Sequence, residues 1–271
     1  MLDEFIKNSE GELKVSYQND LLKLYDEWLT NFPAYNGRSI VGQIMSNKAQ
    51  KMFDYKLASK SEIYNLFENA YQTDPVSFDD PKPLYTYFKT YFELYKEGNS
   101  EITLSEIFNK YEELDERYNS IIDQYSKQID IIINKENSGV ALTSREKRNK
   151  KVYEINSNAS NIYLRNLNAI IAKESTCENL IPLYQKNLEE NKTNPVWLNR
   201  AASRMDSKEC SDDPLFVVLV ELLHNLNPSA NSAYYLGLLN DKKNNTEEAL
   251  KFYNESMELE TDDRRKARIL F

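Results

Sequence analysis

One helical spacing of apolar residues recurs four times along the chain. In each copy, an apolar or small residue has partners four and seven positions later, and a helix-ending residue follows at position twelve. The four copies are Leu21, Tyr25, Trp28 and Pro33; Ile63, Phe67, Ala70 and Pro75; Phe216, Val220, Leu223 and Pro228; and Ala249, Tyr253, Ser256 and Thr261. Residues three and four apart share one face of an α-helix, and proline ends a helix because it lacks the N–H. The spacing therefore predicts four helices, each with one apolar face.

Each of these helices is preceded by another apolar helical pattern. The clearest has Ala233, Leu236 and Gly237 ahead of Ala249, with the glycine twelve residues before the alanine. Trp197 with Ala201, and Val41 with Gly42, are looser copies. A small residue in the first helix lets the second approach closely. The pattern resembles the tetratricopeptide repeat over about 230–263, 194–228 and 18–75, and this resemblance implies stacked helix pairs.

The middle of the chain has a different pattern. Thr103 and Glu106 form a capping box, and a second capping box follows at Thr143 and Glu146. A near-heptad seam follows the first box: Ile107, Tyr111, Leu114, Tyr118, Ile121, Tyr125, Ile129 and Ile132. The apolar stripe after the second box is Val152, Ile155, Ala159, Ile162, Leu167 and Ile170. Two helices of about 30 residues span roughly 45 Å each, so we predict an antiparallel coiled-coil hairpin that partly projects from its neighbours.

These patterns predict an all-α fold without a sheet: a TPR-like α-solenoid of helix pairs with a long helical hairpin inserted in the middle. We predict degenerate helix pairs over 1–100, the hairpin over 101–174 and further repeats over 175–271. Asp262 and Asp263 would begin another helix whose apolar face needs a cover. We therefore expect the native protein to continue past Phe271.

Composition supports a folded, helical protein and narrows the classes of partner. Hydrophobic residues make up 41% of the chain, while only six glycines and eight prolines are available for tight turns. The formal net charge is −9, which disfavours nucleic-acid binding because phosphates require a basic face. No apolar run reaches the length of a membrane-spanning helix.

The sequence carries no recognised catalytic signature. His224 is the single histidine, and a residue near a helix end is a better account of it than a general base. Asp212 and Asp213 precede Pro214, where helix capping is a better account than cation binding. No nucleotide-binding, metalloprotease or hydrolase motif occurs. We therefore predict no catalytic residues, no metal, no cofactor and no small-molecule substrate.

Two features are candidate partner contacts. Arg145, Lys147, Arg148, Lys150 and Lys151 crowd the start of the second hairpin helix, near the predicted tip. An acidic protein or an anionic lipid surface would bind such a cluster, although a solvated tip is the plainer alternative. The second candidate is Tyr87, which lies outside the apolar stripe of the helix near residues 84–95.

The C-terminal half resembles the exported tetratricopeptide proteins of Bacteroidota-type bacteria. The resemblance covers roughly 139–271 and depends on the segment 139–153, the run 175–184, Val196-Trp197-Leu198 and Lys208-Glu209-Cys210. It implies a periplasmic or outer-membrane-associated protein whose signal peptide is absent from this chain. A cytoplasmic location is the alternative.

Cys177 and Cys210 are predicted to form a disulfide. They are 33 residues apart, close to one repeat period of about 34 residues. In a stack of helix pairs, the two turns that hold them fall on the same edge of neighbouring repeats. A disulfide would also indicate an oxidising compartment such as the periplasm. Two free thiols in a cytosolic protein are the alternative.

Two functions fit these predictions, from two different classes. The first is a non-catalytic scaffold that binds protein partners through a solenoid surface and the projecting hairpin. The alternative is a structural subunit buried in a larger, envelope-associated assembly. An exposed apolar stripe on both the hairpin and the solenoid would favour the alternative. An enzyme ranks third because active-site signatures are missing.

Overall fold

The computed structural model describes residues 2–99 and 101–261, and the described chain is almost entirely helical. Twelve helices and one two-stranded hairpin are found in this part of the chain. The elements in order are α1 (Leu2–Lys7), α2 (Gly11–Asn31), β1 (Ala34–Tyr35), β2 (Arg38–Ser39), α3 (Val41–Tyr55), α4 (Lys60–Thr73), α5 (Pro81–Lys96), α6 (Leu104–Asn137), α7 (Ser144–Ala172), α8 (Cys177–Asn191), α9 (Pro195–Ser207), α10 (Pro214–Leu226), α11 (Ala230–Lys242) and α12 (Thr246–Leu259). The all-α prediction is confirmed at this level.

The expectation of no sheet at all is wrong in one place. β1 and β2 pair antiparallel, with Ala34 opposite Ser39 and Tyr35 opposite Arg38. Asn36 and Gly37 connect them with φ angles of +49° and +75°. Two consecutive residues with positive φ form the tight turn that suits the twist of a β-hairpin. The asparagine–glycine pair is the local signal for this turn, and it lies between α2 and α3.

The chain divides into two compact units, Met1–Ile171 and Ala172–Phe271. The first unit holds α1 to α5 together with almost all of the long helices α6 and α7. The second unit holds α8 to α12. The residues predicted to begin a further helix, Asp262 to Phe271, lie outside the described part of the chain.

The repeated spacing found in the sequence marks real helix ends. α2, α4, α10 and α12 end at Asn31, Thr73, Leu226 and Leu259, each two residues before the position predicted to stop the helix. Ile63, Phe67 and Ala70 of α4 are buried, as are Phe216, Val220 and Leu223 of α10. The copy in α2 differs, because the Trp28 side chain is 44% exposed.

Two glycines sit where helices approach closely. A Cβ atom on Gly237 of α11 would lie 2.5 Å from the ring of Tyr253 in α12. A Cβ atom on Gly42 of α3 would lie 2.1 Å from the carbonyl oxygen of Asp74, which follows α4. Contacts this short are sterically excluded, so a glycine is required at each site for the helices to pack as they do.

α6 and α7 run antiparallel to each other. The Tyr111 hydroxyl donates to the Asn168 side chain at 2.7 Å, and the Asn156 amide donates to the Tyr125 hydroxyl at 3.3 Å. Near the turn, Lys135 pairs with Glu146 at 2.5 Å. As the residue number rises along α6, the number of the contacting residue in α7 falls. This order is that of two antiparallel helices.

Only the base of this hairpin is packed into the first unit. Tyr118 is fully buried and donates from its hydroxyl to the Pro81 carbonyl oxygen at 2.5 Å. Beyond Ile121, Ile132 is the single buried residue of the stretch 122–143, and no residue from 144 to 159 is buried. About half of each helix therefore lies in a stretch with little burial.

Within the second unit, α9 lies beside α11 with a constant offset. Asn231 donates to the Asn199 side chain at 3.0 Å, and Tyr235 donates to the Ser203 hydroxyl at 3.3 Å. Both contacts join residues 32 positions apart. α10 packs against α9, and α12 packs against α11.

Candidate functional site

The turn between α6 and α7 is the candidate interaction site. The turn passes through Gly139, whose φ of +79° is the left-handed conformation that glycine adopts most readily. Thr143 accepts a hydrogen bond on its hydroxyl from the Glu146 backbone N–H at 3.2 Å, and its own N–H donates to the Glu146 carboxylate at 2.8 Å. The predicted capping box is therefore present, and it fixes where α7 begins.

Two ion pairs cross the hairpin next to the turn. Lys135 donates to the Glu146 carboxylate, and this bond, with those from Thr143, lowers the pKa of Glu146 to about 2. Lys150 donates to Glu136 at 2.7 Å, and this bond raises the pKa of Lys150. Lys150 is thus held within the hairpin, where it neutralises Glu136.

The other four predicted cations remain on the surface. Arg145, Lys147, Arg148 and Lys151 are exposed and form no ion pair with any described residue. The distal hairpin, residues 124–158, holds seven basic and four acidic side chains in a protein of net charge −9. Positive charges near a helix N-terminus are unfavourable, because that end of the helix dipole is itself positive. This tip therefore offers unbalanced positive charge to an approaching anion.

Apolar side chains lie next to these cations on α7. Val152, Ile155 and Ile162 are 45%, 56% and 41% exposed. Their spacing of three and seven residues places them on one face of the helix. Much of the predicted apolar stripe of α7 is therefore exposed. Leu167, near the end of the helix, is fully buried.

The face of α7 that meets its neighbours is displaced by one residue from the predicted stripe. Tyr153 packs its ring 5.9 Å from that of Tyr125, and Asn156 bonds the same tyrosine. Ser160 is buried, and the Tyr163 ring packs 5.6 Å from that of Tyr85. Apolar periodicity could not find this face because polar and aromatic residues form it. The tyrosines at 153 and 163 were its only sequence signal.

Tyr87 is not a partner contact, and that prediction is wrong. Its side chain is fully buried, and its hydroxyl donates to the Glu68 carboxylate. Tyr64 donates to the same carboxylate at 2.8 Å, and the Lys110 ammonium lies 5.2 Å from the Tyr87 ring centre. The helix buries a wider face than the predicted stripe, because α4 and α6 supply a polar pair that satisfies the tyrosine hydroxyl inside the core.

The half-buried carboxylate of Glu68 is kept ionised by these contacts. Burial acts to raise its pKa, but hydrogen bonds from Tyr87 and Gln72, together with the Lys110 charge, outweigh burial and lower the pKa. Burial and the bond to Glu68 raise the pKa of Tyr87 in turn. These contacts join α4, α5 and α6 within the first unit.

Cys177 and Cys210 lie at disulfide distance in the second unit, with their Cα atoms 5.5 Å apart. Cys177 is the first residue of α8, and Cys210 is in the turn between α9 and α10. Cys210 is 3% exposed. The two predicted turns do therefore meet, and no free cysteine occurs in the described chain.

The second unit also contains an open groove of about 400 Å³ between the first turn of α9 and the start of α11. Val196 and Leu223 contribute apolar surface, and the bonded pair Asn199 and Asn231 contributes polar surface. The Val196 side chain is 54% exposed. The groove therefore combines apolar and polar surface.

The three residues considered as candidates for catalysis or cation binding, His224, Asp212 and Asp213, contact neighbouring side chains and backbone groups. The Nδ1 atom of His224 lies 3.1 Å from the Ser232 hydroxyl oxygen, and its Nε2 atom lies 3.4 Å from a Glu255 carboxylate oxygen. Asp213 caps α10 by accepting from the Leu215 N–H at 2.8 Å, as predicted. Asp212 pairs with Lys242 at 2.8 Å. Among residues 2–99 and 101–261, no group of three or more His, Cys, Asp and Glu side chains could hold a metal ion.

Comparison with known proteins gives no match. No protein-family model, curated protein or solved structure is similar to the chain. None of the helices in the described residues has the length and apolar character needed to cross a membrane. The resemblance to exported tetratricopeptide proteins therefore remains a prediction from the sequence.

Proposed function

We propose that the protein is a non-catalytic scaffold for protein–protein interactions, built from tetratricopeptide-type helix pairs with the distal hairpin as its main contact. The observation that carries this proposal is the set of four exposed cations at the hairpin tip, none of which forms an ion pair with a described residue. Val152 and Ile155 lie beside them and supply apolar area. Charge steers an acidic partner to the tip, and burial of the apolar side chains then stabilises the complex.

The length of the hairpin supports a role outside its own unit. Apart from Ile132, no residue between Ile121 in α6 and Ser160 in α7 is buried. Ordering the residues between these points costs conformational entropy with little burial in return. A partner that covers the distal hairpin would supply the missing burial.

The alternative function is a structural subunit of a larger, envelope-associated assembly. Exposed apolar side chains beyond the hairpin favour it: Leu24, Trp28 and Phe32 of the α2 region are 50%, 44% and 65% exposed. Export to the periplasm or an outer-membrane association belongs to both proposals, and the cysteine pair at disulfide distance supports it.

Crosslinking in the native cells tests the proposal. The full-length protein is crosslinked, and the crosslinked residues are identified by mass spectrometry. The scaffold function predicts crosslinks to an acidic partner concentrated in residues 140–158. Crosslinks spread evenly over α2, α7 and α10 would favour the structural subunit. Crosslinks that avoid the hairpin would contradict the scaffold function as proposed.

The non-catalytic part of the proposal has its own test. Replacing His224 by Gln keeps a hydrogen-bonding side chain next to Ser232. We expect this variant to retain the protein's cellular role. Loss of that role with unchanged circular dichroism and melting temperature would restore the enzyme hypothesis.

A further inference from the structure

Helix α2 carries apolar side chains on one face that is exposed to solvent. Leu13, Leu24 and Trp28 are 54%, 50% and 44% exposed. Tyr17 lies on the same face, because it follows Leu13 by four residues and precedes Leu24 by seven. Phe5 of α1 is 44% exposed, and its ring lies 5.4 Å from that of Tyr17. These side chains form one contiguous patch, whereas exposed apolar residues that need no explanation occur singly.

Acidic side chains accompany this apolar patch. Asp20 lies four residues before Leu24, and Glu27 lies three residues after it, so both share its side of the helix. Both are exposed. Asp20 forms no ion pair with any described residue, and Glu27 pairs at 3.7 Å with Lys23, in an exposed contact that contributes little. Residues 10–31 hold five acidic and two basic side chains. A partner for this side of α2 therefore needs apolar and basic groups on one surface.

The distal part of α7 is a surface of that kind. One side of the helix holds five exposed residues at separations of 3, 4, 3 and 7: Arg145, Arg148, Val152, Ile155 and Ile162. Neither arginine forms an ion pair with any described residue. The distal hairpin holds seven basic and four acidic side chains. Its excess of charge is therefore equal in size and opposite in sign to that of residues 10–31.

The two surfaces are named here by their helices. The α7 face consists of the five residues just given. The α2 face consists of six residues: Leu13, Tyr17, Asp20, Leu24, Glu27 and Trp28. Both faces belong to the first unit, and both are exposed there. The chain therefore does not cover one face with the other, but a second copy of the chain can.

Charge favours contact between unlike faces. Two α7 faces would bring arginines together, and two α2 faces would bring carboxylates together, and like charges opposite each other repel. An α7 face against an α2 face brings opposite charges together. Such a contact also removes apolar surface of both helices from water, which stabilises it.

We propose that the α7 face of one copy docks on the α2 face of a second copy of this chain. Arg145 and Arg148 lie opposite the carboxylates of Asp20 and Glu27, and the apolar side chains of the two helices pack together. The contact joins two different surfaces, and each copy carries both of them. This inference rests on the proposed scaffold function, because it identifies the acidic partner of the hairpin as another copy of the protein.

Sedimentation equilibrium of the purified, full chain tests the proposal. The concentrations run from about 1 μM to 1 mM, which covers moderate to weak affinities. We expect the average mass to rise with concentration above that of a single chain. Association should weaken as NaCl is raised from about 0.05 M to about 0.5 M, because salt screens the exposed charges.

Charge reversal identifies the two surfaces. Asp20→Lys with Glu27→Lys should weaken self-association at least about tenfold, and Arg145→Glu with Arg148→Glu should do the same. A chain that carries all four substitutions again has opposite charges on the two faces. We expect its affinity to return to within about threefold of the wild-type value.

Two matched controls separate this contact from general effects of charge and polarity. Glu190→Lys with Glu258→Lys changes the net charge as the α2 reversal does, at exposed helical positions in the second unit, and should not weaken association. Leu24→Gln should weaken it, whereas Leu250→Gln, at a site that is 57% exposed, should not. Circular dichroism and the melting temperature of each variant establish that the folded proteins are being compared.

The proposal is overturned if the wild-type chain has the mass of a single chain at every concentration. It is also overturned if the fourfold reversal does not restore association, or if the control reversal weakens association as much as the α2 reversal. The scaffold function is tested separately by the crosslinks in native cells. A single-chain mass together with crosslinks from residues 140–158 to a different acidic protein would overturn the second-copy contact and support the scaffold function.

Discussion

The Cα atoms of Cys177 and Cys210 lie 5.5 Å apart, although 33 residues separate them in the sequence. Both sulfur atoms also lie 3.5 Å from the Lys208 carbonyl oxygen. Lys208 in turn donates from its ammonium to the Ala172 carbonyl oxygen at 3.2 Å. The turn before α8 and the turn after α9 are thus joined at three points, of which the cysteine pair is the strongest when oxidised.

Loss of the cysteine pair should destabilise the second unit. Closing a loop of this length restricts the unfolded chain and is worth roughly 3–4 kcal/mol in the chain-entropy model. We expect Cys177→Ala with Cys210→Ala to lower the free energy of unfolding by about that amount in urea titrations. A reducing agent should lower the stability of the wild-type protein and leave the double variant unchanged. Two free thiols in denatured, unreduced protein from an oxidising compartment would show that the bond does not form.

The contact between Gly237 and Tyr253 should set the spacing of α11 and α12. Gly237→Ala places a methyl group against the tyrosine ring. Overpacking of this kind costs about 1–3 kcal/mol, and the better helix propensity of alanine returns at most about 1 kcal/mol. We expect a net loss of about 1–2 kcal/mol in thermal or urea unfolding.

A double-mutant cycle isolates this contact. Tyr253→Leu removes the ring, so Gly237→Ala should cost little or nothing in that background. An equal loss in both backgrounds would show that the close approach of the two helices does not cause the effect.

The Asp79 carboxyl should make stability fall as pH rises. Burial, with the neighbouring charge of Asp80, raises its pKa to about 6, while Arg117 opposes the shift. Its pKa in the unfolded chain is about 3.9. The folded protein therefore holds the proton more tightly between about pH 4 and 6, and stability falls through that window. Asp79→Asn should stabilise the protein by about 1–3 kcal/mol at pH 7 and have no effect below about pH 4.

Asp74 provides a control of opposite sign five residues away. Burial acts to raise its pKa, but hydrogen bonds from the Ser39 and Ser77 hydroxyls, both at 2.6 Å, lower it overall. Its ionised form therefore stabilises the fold above the unfolded-state pKa, and that stabilisation is lost as pH falls. Asp74→Asn should destabilise the protein at pH 7. Equal effects of the two substitutions across pH would contradict this account.

Local signals in the sequence predicted the helix ends and caps well. Pro75 and Pro228 mark where α4 and α10 stop, and Thr143 with Glu146 marks where α7 begins. These features depend on the backbone within one turn, so neighbouring residues determine them. Cys177 and Cys210 were also expected to meet from their separation of 33 residues, and their Cα atoms lie 5.5 Å apart.

Features that depend on several helices could not be predicted in the same way. Tyr87 is buried because Glu68 of α4 and Lys110 of α6 meet its ring and hydroxyl, and no single-helix pattern contains that information. The packed face of α7 depends on Tyr125 and Tyr85, which lie on two other helices. The buried Oε1 atom of Gln50, which accepts no hydrogen bond from a described residue, could be recognised only from burial and hydrogen bonds in three dimensions.

The most direct test of the scaffold function is the affinity of the protein for the partner that crosslinking identifies. The variant replaces Arg145, Lys147, Arg148 and Lys151 by Gln. The control replaces four exposed lysines that lie outside the distal hairpin and form no ion pair with a described residue: Lys7, Lys173, Lys186 and Lys243, each changed to Gln. Both variants change the net charge equally. The account predicts that the tip variant binds the purified partner at least about tenfold more weakly, while the control binds like the wild-type protein. Equal affinity of the tip variant and the control would contradict it.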